Sequence, residues 1–366
     1  MLFLRKLAVL PVIVGLASAK CECGYSVDID NKSWTFTDML ESDLVHLNLK
    51  QPGLEYGELG WAPQQFNVSK TAGRGPHGEI YSVDNVKSNI IGDDSVFTGD
   101  GQNGGPAGLQ LLVGGSLVND MVMVSEVATA NQHYTYGTYR ASIKVTDVPG
   151  TCTAFFWYFN DTQEIDIEFL SYDFNRNNKS FPVNLVLQST ESAQAGHDAS
   201  GTKDFKKVYL PFDPTADFHE YRFDYVPGKV TFYADGKELA EMTGDSVPTT
   251  SGHLLMSHWS NGNPGWSHGP PTQDAISTVN YVKAYFNSSD AQRKSAYAAR
   301  CTNPASPEVV CAIPNNDPTF FFGHEDGMAP GQTVYTDTSM ASSLIVTASR
   351  WLPLAALSLL WRMMSS

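Results

Sequence analysis

Basic residues are scarce in this chain. Its 366 residues hold 24 lysines and arginines against 39 aspartates and glutamates, a formal net charge of −15. That balance argues against a phosphate-neutralising surface of the kind nucleic acids require. An uncharged polymer is compatible with it but not implied by it. Apolar runs of the roughly 20 residues that span a bilayer are also missing. There is no internal repeat and no alternation of strand and helix. The Gly/Asp/Asn-rich stretch 92–108 lacks the lysine of a P-loop and opens no helical pattern, so it reads as connecting turns. Cysteines number five, and no pair recurs with metal-ligand spacing, which disfavours zinc.

What is present suits a packed domain: 42% hydrophobic and 17% charged residues leave ample material for a core. Arg5 and Lys6, an apolar stretch from Leu7 to Leu16 and the small residues Ala17-Ser18-Ala19 form a signal-peptide pattern. Near the other end, Ser339, Ala341, Ser342 and Ser343 precede a spacer ending at Arg350 and the apolar tail Trp351–Trp361. Small site, spacer and tail together resemble a GPI-anchor signal, which Arg362 interrupts. The expected location is therefore secreted, held at the cell surface or in the cell wall. Cys21, Cys23, Cys152, Cys301 and Cys311 fit an oxidising compartment, as two bridges and one free thiol. The bridges could tie the two ends of the folded region together, and a local Cys301–Cys311 loop is equally allowed. Asn31, Asn67, Asn160, Asn178 and Asn287 stand in N-glycosylation sequons.

The division read from these signals is a signal peptide over 1–19, a β-rich domain over 20–290, a cysteine-containing tail and linker over 291–343, and an anchor signal over 344–366. Within the domain, Ile143 and Val145 alternate with Ser142 and Lys144, and Tyr221, Phe223 and Tyr225 alternate with Arg222 and Asp224. Pro227-Gly228 and Asp235-Gly236 punctuate successive strands. Many short strands with Gly/Pro turns predict an all-β sandwich or jelly roll. From Asn303 the Pro/Asn/Gly/Thr-rich sequence reads as a linker or stalk.

One strand departs from this background. Glu164-Ile165-Asp166-Ile167-Glu168-Phe169 alternates acid and apolar residues strictly. Period two puts the three acids on one face and the apolar residues on the other. The apolar face explains why the strand stays in a sheet; it does not explain three neighbouring carboxylates, which repel one another with no lysine or arginine nearby in sequence. A solvated acidic face and a metal cluster are the competing readings. At about 3.3 Å per residue, Glu164 and Glu168 have Cα atoms roughly 13 Å apart. Side chains leaning inward leave their carboxyls near the roughly 5 Å of a retaining glycosidase. The charge of Asp166 between them should raise the pKa of a neighbour, as a general acid requires.

With these residues in view, Glu164-Ile-Asp-Ile-Glu168-Phe-Leu resembles the signature of glycoside hydrolase family 16, which includes lichenases and laminarinases. Tyr136–Lys144 looks like the family's strand entering the cleft, Phe218–Gly236 like its hairpin, and Met256–Gly262 with Trp266 like a later substrate-lining stretch. The resemblance spans about 109–286. It implies an antiparallel β-jelly-roll sandwich of the concanavalin A-like lectin/glucanase type, with an open groove. It also implies an endo-β-glucanase acting on β-1,3 or mixed β-1,3/1,4 glucan by retention, with Glu164 as nucleophile, Asp166 as assisting carboxylate and Glu168 as acid/base. Trp259, Trp266, Tyr158 and Phe156 are candidate sugar platforms, and Asn261 and Asn184 candidate hydroxyl partners. No cofactor is called for, although a structural calcium occurs in some members, and a monomer with a polysaccharide substrate is expected. Gln163 stands where many members carry an acid, and Arg140 and Ser142 replace a glutamate and an arginine that contact sugar in the lichenases. Two rivals stand beside this reading: a transglycosylase of cell-wall glucan or chitin, which the same carboxylates serve, and a non-catalytic carbohydrate-binding protein on the same sandwich, which has no need of three carboxylates on one strand face.

Overall fold

A computed structural model of the protein describes residues 21–49, 60–324 apart from 94, 197, 307 and 308, and 333–335. The expected signal peptide and anchor signal lie outside the described residues. The elements that build and back the site are β1 Met121–Thr129, β2 Tyr134–Lys144, β3 Cys152–Asn160, β4 Gln163–Leu170, β5 Pro182–Gln188 and β6 Phe205–Tyr209. They continue with β7 His219–Val226, β8 Lys229–Ala234, β9 Lys237–Thr243, β10 His253–Trp259, β11 Ala275–Ser288 and helix α1 Ala291–Arg300.

Two large sheets face each other. The front sheet runs β6-β5-β4-β3-β10-β1 and continues through Gly78–Tyr81 to Phe66–Val68. The back sheet runs β9-β8-β7-β2-β11 and continues through Asp38–Asp43. Within the six named strands of the front sheet every neighbour is antiparallel. Alternation dictates the filling: Ile165, Ile167 and Phe169 of β4 and Tyr221, Phe223 and Tyr225 of β7 are each 0% exposed. These side chains belong to one core cluster shared by both sheets, with Trp157 and Tyr139 among its largest members. Burying an Ile or Phe of this kind stabilises by about 1.5–3 kcal/mol. The hairpin β8–β9 turns through Asp235 and Gly236 at φ 47 and 73, the paired left-handed conformation that matches strand twist. The jelly-roll sandwich expected from the strand pattern is the fold observed.

The resemblance placed Tyr136–Lys144 at the cleft, and the structure corrects this. These residues form β2 in the back sheet, paired with β7 and β11. Tyr139, Ala141 and Ile143 fill the core, and Arg140 and Ser142 point out of the opposite side of that sheet, each buried. The substitutions at 140 and 142 therefore bear on what covers the back of the molecule, not on the groove.

That cover is the described part of the segment expected to be a linker. Val309, Ile313, Phe321 and Phe322 are buried, the last two on the back sheet's outer face against Tyr281 and Tyr285. Arg140 Nη1 donates to the Pro314 carbonyl at 2.6 Å, and Lys283 Nζ donates to the carbonyls of Asp317 and Phe320 at 2.7 and 2.6 Å. The carboxylate of Glu41 accepts the backbone N–H groups of Phe322 and Gly323. Disulfides Cys21–Cys311 and Cys23–Cys301 fasten this strap to the chain's beginning, which resolves the two pairings left open by sequence. Cys152 is the free cysteine, and it is buried.

Candidate active site

β4 carries the acids because its other face is needed by the core. With Ile165, Ile167 and Phe169 turned inward, Glu164, Asp166 and Glu168 must emerge on the front. On β3, Tyr158 lies across from Glu164, Phe156 from Asp166 and Ala154 from Glu168. On β5, Asn184 lies across from Glu168. Beyond β3, β10 sets Leu255 opposite Phe156 and Trp259 opposite Cys152. Ala128, Ala154, Phe156 and Leu255, with Tyr158 against them, make an apolar floor beside the acids.

That setting polarises the three carboxyls. Asp166 is only 5% exposed and hydrogen-bonded to Glu164. Burial, reinforced by the charges of Glu164 and Glu168, holds it well above the usual carboxylate range. Burial also pushes Glu168 up to about 7, restrained by hydrogen bonds from Cys152 and Trp266. Lys207, the cation across from Asn184, is spent on Asp173 Oδ2 at 2.9 Å. The site thus holds an acid near its midpoint at neutral pH beside a hydrogen-bonded carboxyl pair. This is the division of labour that proton transfer to a leaving group requires.

The loop 260–270 completes the wall. Trp266 Nε1 donates to Glu168 Oε1 at 3.3 Å, and its ring lies 6.1 Å from that of Phe205. Asn261, 2% exposed, works inside this loop: its Nδ2 donates to the Gly73 carbonyl at 2.6 Å, and its Oδ1 accepts from Asn263 N and Ser267 Oγ. Asn184 is buried beside Glu168, and its Oδ1 has no protein partner. Tyr158 Oη donates to Asp161 Oδ1 at 2.8 Å. Trp259 packs against a separate apolar cluster around Val122 and Val124. Gln163 clamps the neighbouring loop, accepting from Thr249 N and Thr250 Oγ1 at 3.1 Å each.

Two features escaped the sequence reading. Cys152 Sγ donates to Glu168 Oε1 at 3.4 Å. Its parity with Phe156 and Tyr158 on β3 was the available signal. Tyr172, 58% exposed, stacks on His268 at 4.0 Å and links the end of β4 to the Trp266 loop; no spacing rule joins residues so far apart. Among the described residues no group of three or more His, Cys, Asp or Glu side chains is placed to hold a metal.

With this geometry in hand, likeness to known proteins can be weighed. Residues 113–283 match the model of the glycosyl hydrolases family 16. A beta-glucanase of Paenibacillus polymyxa is 28% identical over 211 residues, 56% of this chain and 76% of that one. A beta-glucanase of Paenibacillus macerans is 34% identical over 131 residues, 34% of this chain and 48% of that one. Against several such relatives the chain spans about half of their length. The structure of an endo-beta-1,3-glucanase from Pyrococcus furiosus superposes with a TM-score of 0.50 at 18% identity, covering 72% of this chain and 98% of that one, a likeness of fold. The matched residues contain β1 to β10, the acid-bearing strand among them, and it is over this stretch that the chain is similar to the glycosyl hydrolases of family 16.

Proposed function

We propose that the protein is a retaining endo-glycosidase that hydrolyses β-1,3 or mixed β-1,3/1,4 glucan. The observation that carries this reading is the trio on β4, in which Asp166 is hydrogen-bonded to Glu164 while burial pushes Glu168 up to about 7. Glu164 attacks the anomeric carbon as the glycosidic C–O bond breaks, and Glu168 gives its proton to the departing oxygen. The hydrogen bond from Asp166 steadies Glu164 in the ionised state and turns its carboxylate toward the sugar. Water then attacks the glycosyl ester on Glu164. Glu168, now ionised, takes the proton of that water, and the second inversion restores the original configuration.

The apolar floor of Phe156 and Leu255 beside polar Asn184 and Trp266 suits a sugar, whose C–H faces stack while its hydroxyls seek partners. The names of the beta-glucanase relatives support glucan as the polymer. Secretion and a lipid anchor at the cell surface remain part of the proposal, supported by the terminal sequence patterns and by two disulfides.

The test incubates purified protein with β-1,3-glucan, mixed-linkage glucan and chitin oligosaccharides, beside Glu164→Gln. Shorter products with retained anomeric configuration are expected from the first two, and Glu164→Gln should lower the rate on the order of 10³-fold. Longer products identify a transferase, bound but unchanged sugar a lectin. Glu164→Gln as fast as the parent ends the reading.

A further inference from the structure

Cys152 is the one cysteine outside the disulfides, and it does not sit in the core between the sheets. Period two on β3 turns it to the front with Ala154, Phe156 and Tyr158. There its thiol and the Trp266 indole converge on one atom, Glu168 Oε1, at 3.4 and 3.3 Å. An indole N–H can only donate, so Oε1 must accept from it in every protonation state of the carboxyl. The thiol is buried beside carboxylates and stays protonated, so it too donates. An unprotonated oxygen is the better acceptor of two donors, so this pair favours Oε2 as the oxygen that carries the proton of Glu168.

We infer that Cys152 is a positioning residue for the acid/base: with Trp266 it engages Glu168 Oε1, fixes the carboxyl plane and leaves Oε2 as the oxygen that delivers and recovers the proton. This rests on the reading of Glu168 as the acid/base. The two donors come from different elements, β3 and the loop 260–270, so neither alone dictates the carboxyl's orientation. The groups facing Glu168 from the surrounding elements are Asp166 and Glu164 on β4, Cys152 on β3, Asn184 on β5 and Trp266 on the loop, with Glu79 felt at Cys152. The thiol is the smallest of these and the easiest to replace without disturbing the fold.

The experiment compares Cys152→Ala, Cys152→Ser and Glu168→Gln with the parent in pH profiles of kcat/KM. Substrates are a mixed-linkage oligosaccharide and an aryl β-glycoside whose leaving group needs no protonation. Removing one donor to the ionised carboxylate should move the basic limb of Cys152→Ala up by roughly half a unit. It should also lower kcat on the oligosaccharide by about 3- to 10-fold, with KM unchanged and the aryl glycoside little affected. Cys152→Ser keeps a donor and should restore both limb and rate. Thermal melts of both variants separate a folding defect from a catalytic one. If Cys152→Ala folds and its basic limb stays with the parent's, or if Cys152→Ser fails to restore it, the positioning role is wrong. If Glu168→Gln itself keeps full oligosaccharide activity, the fault lies instead with the assignment of Glu168.

Discussion

Glu168 shows how one buried carboxyl links chemistry to stability. Its pKa rises from 4.5 to about 7 in the folded chain, chiefly through burial. A raised acid pKa means that the folded state holds the proton more tightly than the unfolded chain does. The associated stabilisation is complete below about pH 4.5 and is lost as pH climbs through 7. Glu168→Gln cannot titrate, so its stability relative to the parent should improve by about 3 kcal/mol between pH 4 and 8. Urea melts at both pH values check this; a constant difference across that range refutes it. In activity the sign is opposite, since the same substitution removes the proton donor. On a natural glucan the parent's rate should fall above about pH 7, where Glu168 loses its proton.

At the scale of elements, the strap over the back sheet is held by charge and hydrogen bonding as well as by grease. Lys283 reaches two of its carbonyls, and Lys283→Met would leave both half-buried groups without that donor. The expected outcome is a loss of about 2–4 kcal/mol and faster proteolysis of 313–324, with glycosidase activity within 2-fold of the parent. Unchanged proteolysis would mean that the disulfides alone retain the strap. What sequence could and could not convey is visible in these same elements. The β4 alternation was legible because strand period two acts on adjacent residues, and it placed Glu164, Asp166 and Glu168 on one face without further help. The strap was not legible. Its Pro/Asn-rich composition is that of a solvated linker, and its anchors, Glu41, Arg140 and Lys283, lie far off in the chain, joined to it by no local pattern. Asn261 was picked out by its neighbourhood in a family-like stretch, but only coordinates reveal that its amide reaches back to Gly73. Disulfide pairing followed the same rule: counting gave two bridges, and the fold chose partners 290 and 278 residues apart.

Taken whole, the molecule is a sandwich with a working face and a fastened back. Opening Cys23–Cys301 by a double Cys→Ser change leaves Cys21–Cys311 to close nearly the same long loop, so only the short ring between the two bridges is freed. Chain-entropy arguments for a ring of roughly a dozen residues put the loss near 3 kcal/mol, which should lower Tm by about 5 °C. Calorimetry of the double variant beside the parent reads this directly, and an unchanged Tm would show that the second bridge and the strap's hydrogen bonds suffice. Because both bridges gather residues 21–23 and 301–311 at one place, the polypeptide enters and departs together, behind the sheet that lacks the acids. Thr333–Tyr335 then rejoins the back sheet beside Asp38–Asp43, so the described chain beyond the strap still lies on the sheet away from the acids. Were the proposed anchor attached on that side, the acid-bearing face would be left open to incoming polymer.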